Sequence, residues 1–105
     1  MNLDQFLDRI WAKTYTCNEF TCEVWQHITG EDLTQRLQDF LNGTGSFIPI
    51  DTPESPCIAL FNRKNADSHV GIFFEGRLLH LTQKGAHYVQ LEIMQGGFQQ
   101  PRFYK

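Results

Sequence analysis

One hundred and five residues, 41% apolar and 13% aromatic, are enough for a single domain, 1–105, around one modest core. A formal charge of -3, a pI near 5.7 and nine Lys and Arg scattered through the chain leave no basic footprint and argue against a nucleic-acid partner. No apolar run approaches membrane-spanning length, and the opening Met1-Asn2-Leu3-Asp4-Gln5 lacks the basic and apolar regions of a signal peptide, so synthesis in the cytosol is expected, with any later delivery left to another device.

Asn2 is a plausible cap for a first helix with Leu3, Phe6, Leu7 and Ile10 on one face, closing near Trp11 to Lys13. A second helix is expected from Cys17 to about Ile28, with Cys17, Phe20, Val24 and Ile28 inward and Gly30 as a left-handed stop. A third runs from about Asp32 to Leu41 on Leu33, Leu37, Phe40 and Leu41, and Asn42-Gly43 ends it. From Gly43 to Pro56 the composition turns to Gly, Ser, Thr and Pro, which predicts a loop. Beyond it the pattern is that of strands: Cys57 to Phe61, His69 to Phe74, Arg77 to Thr82, Tyr88 to Ile93 and Pro101 to Tyr104. Helices first and antiparallel strands second predict an α+β fold with the helices packed on one face of the sheet.

The three cysteines, Cys17, Cys22 and Cys57, are odd in number and lack a C-x-x-C spacing, which argues against a disulfide framework and a zinc knuckle. Cys22 follows Cys17 by about 500° of helical rotation, so the two side chains point about 140° apart. Cys22 and Cys57 read as core thiols. Cys17 differs because Thr16 and Glu19 have the spacing of a capping box, which makes Cys17 the first helical residue. Unpaired backbone N–H groups and the positive end of the helix dipole there favour thiolate over thiol.

Two histidines carry the remaining chemistry. His69 opens the strand His69-Val70-Gly71-Ile72, and His80 sits in Leu78-Leu79-His80-Leu81. If Glu75-Gly76 is a two-residue hairpin loop, His80 lies opposite Gly71, on the face of His69 and diagonal to it. A four-residue loop keeps that parity, whereas a three-residue loop puts the imidazoles on opposite faces. Gly71 would leave open room between them. A thiol attacking an amide needs a base that takes its proton and returns it to the leaving amine, and the base needs a partner at its other ring nitrogen. Cys17, His69 and His80 can fill these three roles. The Cys17 backbone N–H, helped by the Tyr15 hydroxyl, would be the oxyanion donor. His27, late on its helix, and His87, after a glycine turn, read as structural. No metal or other cofactor is required. The same three residues would also make a zinc site with an open position, but the helix cap already accounts for a thiolate.

The helix-start cysteine, the strand opening His69-Val70-Gly71-Ile72 and the Leu79-His80 of the next strand together resemble the NlpC/p60 superfamily, papain-like cysteine peptidases of bacterial cell walls. The likeness runs from Trp11 to Tyr104 and is closest to short phage or phage-derived members associated with tail assembly. The family usually reads Asp-Cys-Ser-Gly where this chain has Thr16-Cys17-Asn18-Glu19. The resemblance implies hydrolysis of an amide in peptidoglycan stem peptides, with Cys17, His69 and His80 as catalytic residues and action in a virion, the periplasm or the cell wall. The rival expectation is a structural or assembly module, such as a phage tail component, that keeps the fold while its cleft serves binding.

Overall fold

A computed structural model describes residues 3–44, 47–61, 69–90 and 102–105. The apolar residues near the N-terminus form a 3-10 turn, Asp4–Phe6, and not the amphipathic helix expected to run on toward Lys13. Leu3 and Phe6 are buried, and one turn satisfies that spacing, whereas Leu7 is 40% and Ile10 80% exposed. Ala12 and Tyr15 then form an isolated antiparallel bridge that leads into the next element.

Helix α1, Cys17–Thr29, starts at Thr16 and stops at Gly30, whose φ of 82° is the left-handed conformation that a Cβ disfavours. Helix α2, Thr34–Leu41, begins slightly later than expected, where the Asp32 carboxylate accepts from the Thr34 N–H at 3.1 Å. The stretch expected to be only loop contains a two-residue strand, β1, Pro49–Ile50, paired with the chain's last strand. A proline is tolerated there because β1 is an edge.

The other strands are β2, Cys57–Phe61; β3, His69–Phe74; β4, Arg77–Thr82; β5, Gly85–Val89; and β6, Arg102–Tyr104. The first three have the expected bounds. The fifth strand begins at Gly85 and not at Tyr88, because Thr82 and Gly85 pair across the tight turn between them. Asn2, residues 91–93 and Pro101 of the expected elements lie outside the described residues.

All pairings are antiparallel, in the order β1-β6-β2-β3-β4-β5. Period-2 alternation divides the sheet. Ile58, Leu60, Val70, Ile72, Leu79 and Leu81 join Phe20, Val24, Trp25 and Leu37 of the two helices in the main core. The opposite pleat carries a smaller cluster of Ala59, Phe61 and Leu78. The fold is therefore α+β, with both helices on one face of a six-stranded antiparallel sheet.

Candidate active site

The N-terminus of α1 is built as the local sequence requires. The Thr16 hydroxyl accepts from the Asn18 N–H at 3.3 Å, and Glu19 Oε1 accepts from the Thr16 N–H at 2.7 Å, completing a capping box. Glu19 also accepts the Thr16 hydroxyl at 2.8 Å. Cys17 is thus the first residue of the helix, half-buried against the main core, with Sγ 3.8 Å from Asn18 Oδ1. One turn later on the same side, the Thr21 hydroxyl donates to the Val70 carbonyl at 3.5 Å. This contact ties α1 to β3 one residue from His69.

The β3–β4 connection is the two-residue hairpin, with Phe74 opposite Arg77 and Ile72 opposite Leu79. Glu75, an unfavourable residue for the purpose, takes φ 51° and Gly76 φ 83°, the paired positive values of a primed turn. The Ser55 hydroxyl accepts the Glu75 N–H at 2.8 Å and holds the turn. The resulting parity brings His69 and His80 together. His69 Nε2 and His80 Nδ1 lie 2.9 Å apart in a buried hydrogen bond, with the rings nearly perpendicular at 84°.

Both imidazoles occupy the pleat opposite Val70 and Leu79, on the side of Phe61, whose ring centroid lies 6.1 Å from that of His69. They are 3% and 2% exposed. Burial, and then the neighbouring His69 and His87, push the His80 pKa down to about 3, so this ring is neutral across the physiological range. His80 Nε2 is buried and has no hydrogen-bond partner among the described residues.

His87, read from the sequence as a structural residue after a turn, belongs to the same cluster. It faces His80 across β4 and β5, with ring centroids 5.5 Å apart and planes tilted by 33°. A turn at Gln83-Lys84, between the paired Thr82 and Gly85, creates this register, and Gly85, with φ 120°, is the residue that marks it in the sequence. His27 lies elsewhere, edge-on to Phe6 at 5.2 Å and within 3.1 Å of the Gln5 amide.

Two cleft residues need correction. The Tyr15 hydroxyl, expected to help polarise a carbonyl at Cys17, instead donates to Glu23, which Arg9 also bonds at 3.1 Å. Burial and Glu23 push the Tyr15 pKa up to about 12 and keep the phenol protonated. At Gly71 the expected open room is taken by strand β4: a Cβ built there would stand 2.9 Å from the Leu79 carbonyl oxygen and 3.0 Å from His80 Cβ. The missing side chain serves close strand packing.

The zinc arrangement does not fit the geometry. Two imidazole nitrogens on one tetrahedral zinc stand roughly 3.3 Å apart with the ion between them. His69 Nε2 and His80 Nδ1 point at each other at hydrogen-bond distance, and among the described residues no group of three or more His, Cys, Asp or Glu could hold a metal ion. Cys57 is buried and Cys22 half-buried, and burial raises the pKa of both thiols.

The described residues thus place a buried histidine dyad, with His80 neutral, on the β3–β4 hairpin and a capped cysteine at the start of the helix bonded to β3. Comparison of the chain with protein-family models, curated proteins and solved structures found no match.

Proposed function

We propose that the protein is a cysteine hydrolase that cleaves an amide through a Cys17 thioester, with His69 as general base and acid and His80 as its orienting partner. The observation that carries the reading is the 2.9 Å bond between His69 Nε2 and His80 Nδ1. Because His80 is neutral, it can accept the His69 Nε2 hydrogen at Nδ1 and fix the tautomer in which His69 Nδ1 presents a lone pair. That tautomer puts the hydrogen of His80 on Nε2, a buried donor without a partner among the described residues. Such a donor costs about 1–3 kcal/mol, a strain more usual at functional sites than in ordinary cores.

Cys17 packs against the helix-side core and the two imidazoles lie on the opposite pleat, so this reading requires the thiol to reach His69 around the N-terminal end of β3. The paired register of β3 with β4 stops at Ile72 and Leu79, leaving His69 to Gly71 beyond it, and Thr21 anchors α1 at Val70 in that stretch. The resemblance of the sequence to NlpC/p60 peptidases supplies the substrate class, an amide of a peptidoglycan stem peptide. Purified peptidoglycan should release soluble fragments with the native chain and none with Cys17→Ala; equal release by both would remove Cys17 from the mechanism.

The deep burial of both histidines favours a second reading, an assembly module such as a phage tail component whose dyad is structural. Alkylation by iodoacetamide across pH separates the two. A catalytic Cys17 reacts well below the pH of an ordinary thiol near 8.5, and a structural one titrates near that value.

A further inference from the structure

We infer that His87 is a positioning residue of the dyad: it holds the His80 ring so that Nδ1 stays turned toward His69. The hold itself does not depend on Cys17, and only its effect on hydrolysis rests on the reading of Cys17 as nucleophile.

Register and pleat bring four polar side chains into one row. His69 of β3, His80 and Thr82 of β4 and His87 of β5 share the sheet face that carries the apolar cluster of Ala59, Phe61 and Leu78. Of the residues that β2 to β6 place on that face, only the three histidines and Cys57 titrate, and none is Asp, Glu, Lys or Arg. No carboxylate of these strands is there to orient His80, so the task falls to the other rings and the backbone.

His80 needs a hold. One hydrogen bond, from Nδ1 to His69 Nε2 at 2.9 Å, sets its rotation, while Nε2 is buried and has no hydrogen-bond partner among the described residues. The torsion that turns an imidazole about its stem is broad, so packing has to choose among its orientations. A turn that gave Nε2 a partner would relieve that atom and break the dyad. Two neighbours oppose it. At Gly71 the backbone of β3 closes on the root of the side chain, since a Cβ built there would stand 3.0 Å from His80 Cβ. His87 covers the ring itself, with centroids 5.5 Å apart and planes tilted by 33°, inside the distance range of stacked rings.

His87 is in turn fixed by Thr82. The Thr82 hydroxyl oxygen lies 3.1 Å from the Lys84 N–H, 3.3 Å from the Gly85 carbonyl and 3.4 Å from His87 Nε2. The amide can only donate and the carbonyl can only accept, so the hydroxyl hydrogen goes to Gly85 and the oxygen accepts His87 Nε2–H as its second donor. Strand β5 is the edge of the sheet and His87 is half-exposed, so its ring stands between solvent and His80.

Proton–nitrogen NMR of the isotopically labelled full chain reads each imidazole nitrogen separately. At neutral pH the native chain should carry a slowly exchanging hydrogen on His69 Nε2 and none on His80 Nδ1. In His87→Ala that hydrogen should exchange roughly tenfold faster, and the His80 titration should move up toward the ordinary 6.5 as water reaches Nε2. His87→Phe, which restores a ring over His80, should reverse both changes. Native exchange in His87→Ala overturns the proposal, and so does fast exchange that His87→Phe leaves uncorrected. If His87→Ala fails to fold, Thr82→Val decides: it releases His87 Nε2 at nearly constant volume and should speed the exchange, and a native rate there overturns the proposal. Hydrolysis of soluble muropeptides tests the dependent step, with kcat in His87→Ala lower by roughly tenfold and KM unchanged. A native chain that hydrolyses nothing, with the exchange pattern as expected, keeps His87 as the positioning residue and rejects the nucleophile.

Discussion

Gly71 lies where any side chain would collide with His80: an added Cβ would stand 3.0 Å from His80 Cβ and 2.9 Å from the backbone oxygen of Leu79. The oxygen belongs to the strand and cannot swing away as the tip of a flexible side chain can. Gly71→Ala should therefore push β4 from β3 and cost about 1–3 kcal/mol, the scale of overpacking in a tight core. Urea unfolding measures the loss. A midpoint within error of the native one would mean that the strands give way easily and that the glycine is not required for the dyad.

His80 makes stability depend on acid. Unfolded, its imidazole titrates near the ordinary 6.5; folded, it titrates near 3, with burial the largest cause. The unfolded chain thus binds the extra proton first. The stabilisation is complete above about pH 6.5 and is lost as pH falls toward 3, by up to about 1.4 kcal/mol per unit. Urea midpoints measured from pH 7 to 4 should decline in the native chain. The decline should be shallower in His80→Gln, and parallel curves would remove His80 as its source.

Thr16 should control both the helix and its first residue. Thr16→Ala removes the acceptor for the Asn18 N–H and should cost about 1 kcal/mol. The same change leaves the start of α1 looser around Cys17, so the pH midpoint for iodoacetamide alkylation should rise. Mass spectrometry of the Cys17 peptide across pH reads this directly. An unchanged midpoint would show that the cap does not activate the thiol.

Tyr15→Phe separates a structural phenol from one that touches a reacting carbonyl. The Tyr15 hydroxyl donates to Glu23, so its loss should cost about 1 kcal/mol of stability and leave the Cys17 alkylation rate and any peptidoglycan hydrolysis close to native. Hydrolysis reduced tenfold or more with the fold intact would return Tyr15 to the oxyanion site.

What could be read from the sequence follows the range of the forces involved. The cap at Thr16, the stop at Gly30 and the three strands from Cys57 to Thr82 are set by neighbours a few residues away, and the structure has them where pattern and propensity put them. The pairing of His69 with His80 was also legible, because hairpin parity is arithmetic once the loop length is fixed. The N-terminal helix was not. Leu7 and Ile10 have helical spacing, but only burial could reward it, and both stay exposed. Strand β1 was invisible because two residues carry no period, and its partner lies at the far end of the chain. His87 was missed through one register choice at Gly85, and Tyr15 through a partner, Glu23, two turns into the helix.

Strand β6 sits between β1 and β2, with Tyr104 opposite both Pro49 and Ile58. A nascent chain released only as far as Val89 can close the two hairpins from β2's partner to β5, yet it carries raw hydrogen-bonding edges on β1 and β2 until Arg102 to Tyr104 arrive. Those two edges are the place where an incomplete copy would grasp a strand from a neighbour. A copy that lacks β6 therefore carries a polymerisation hazard.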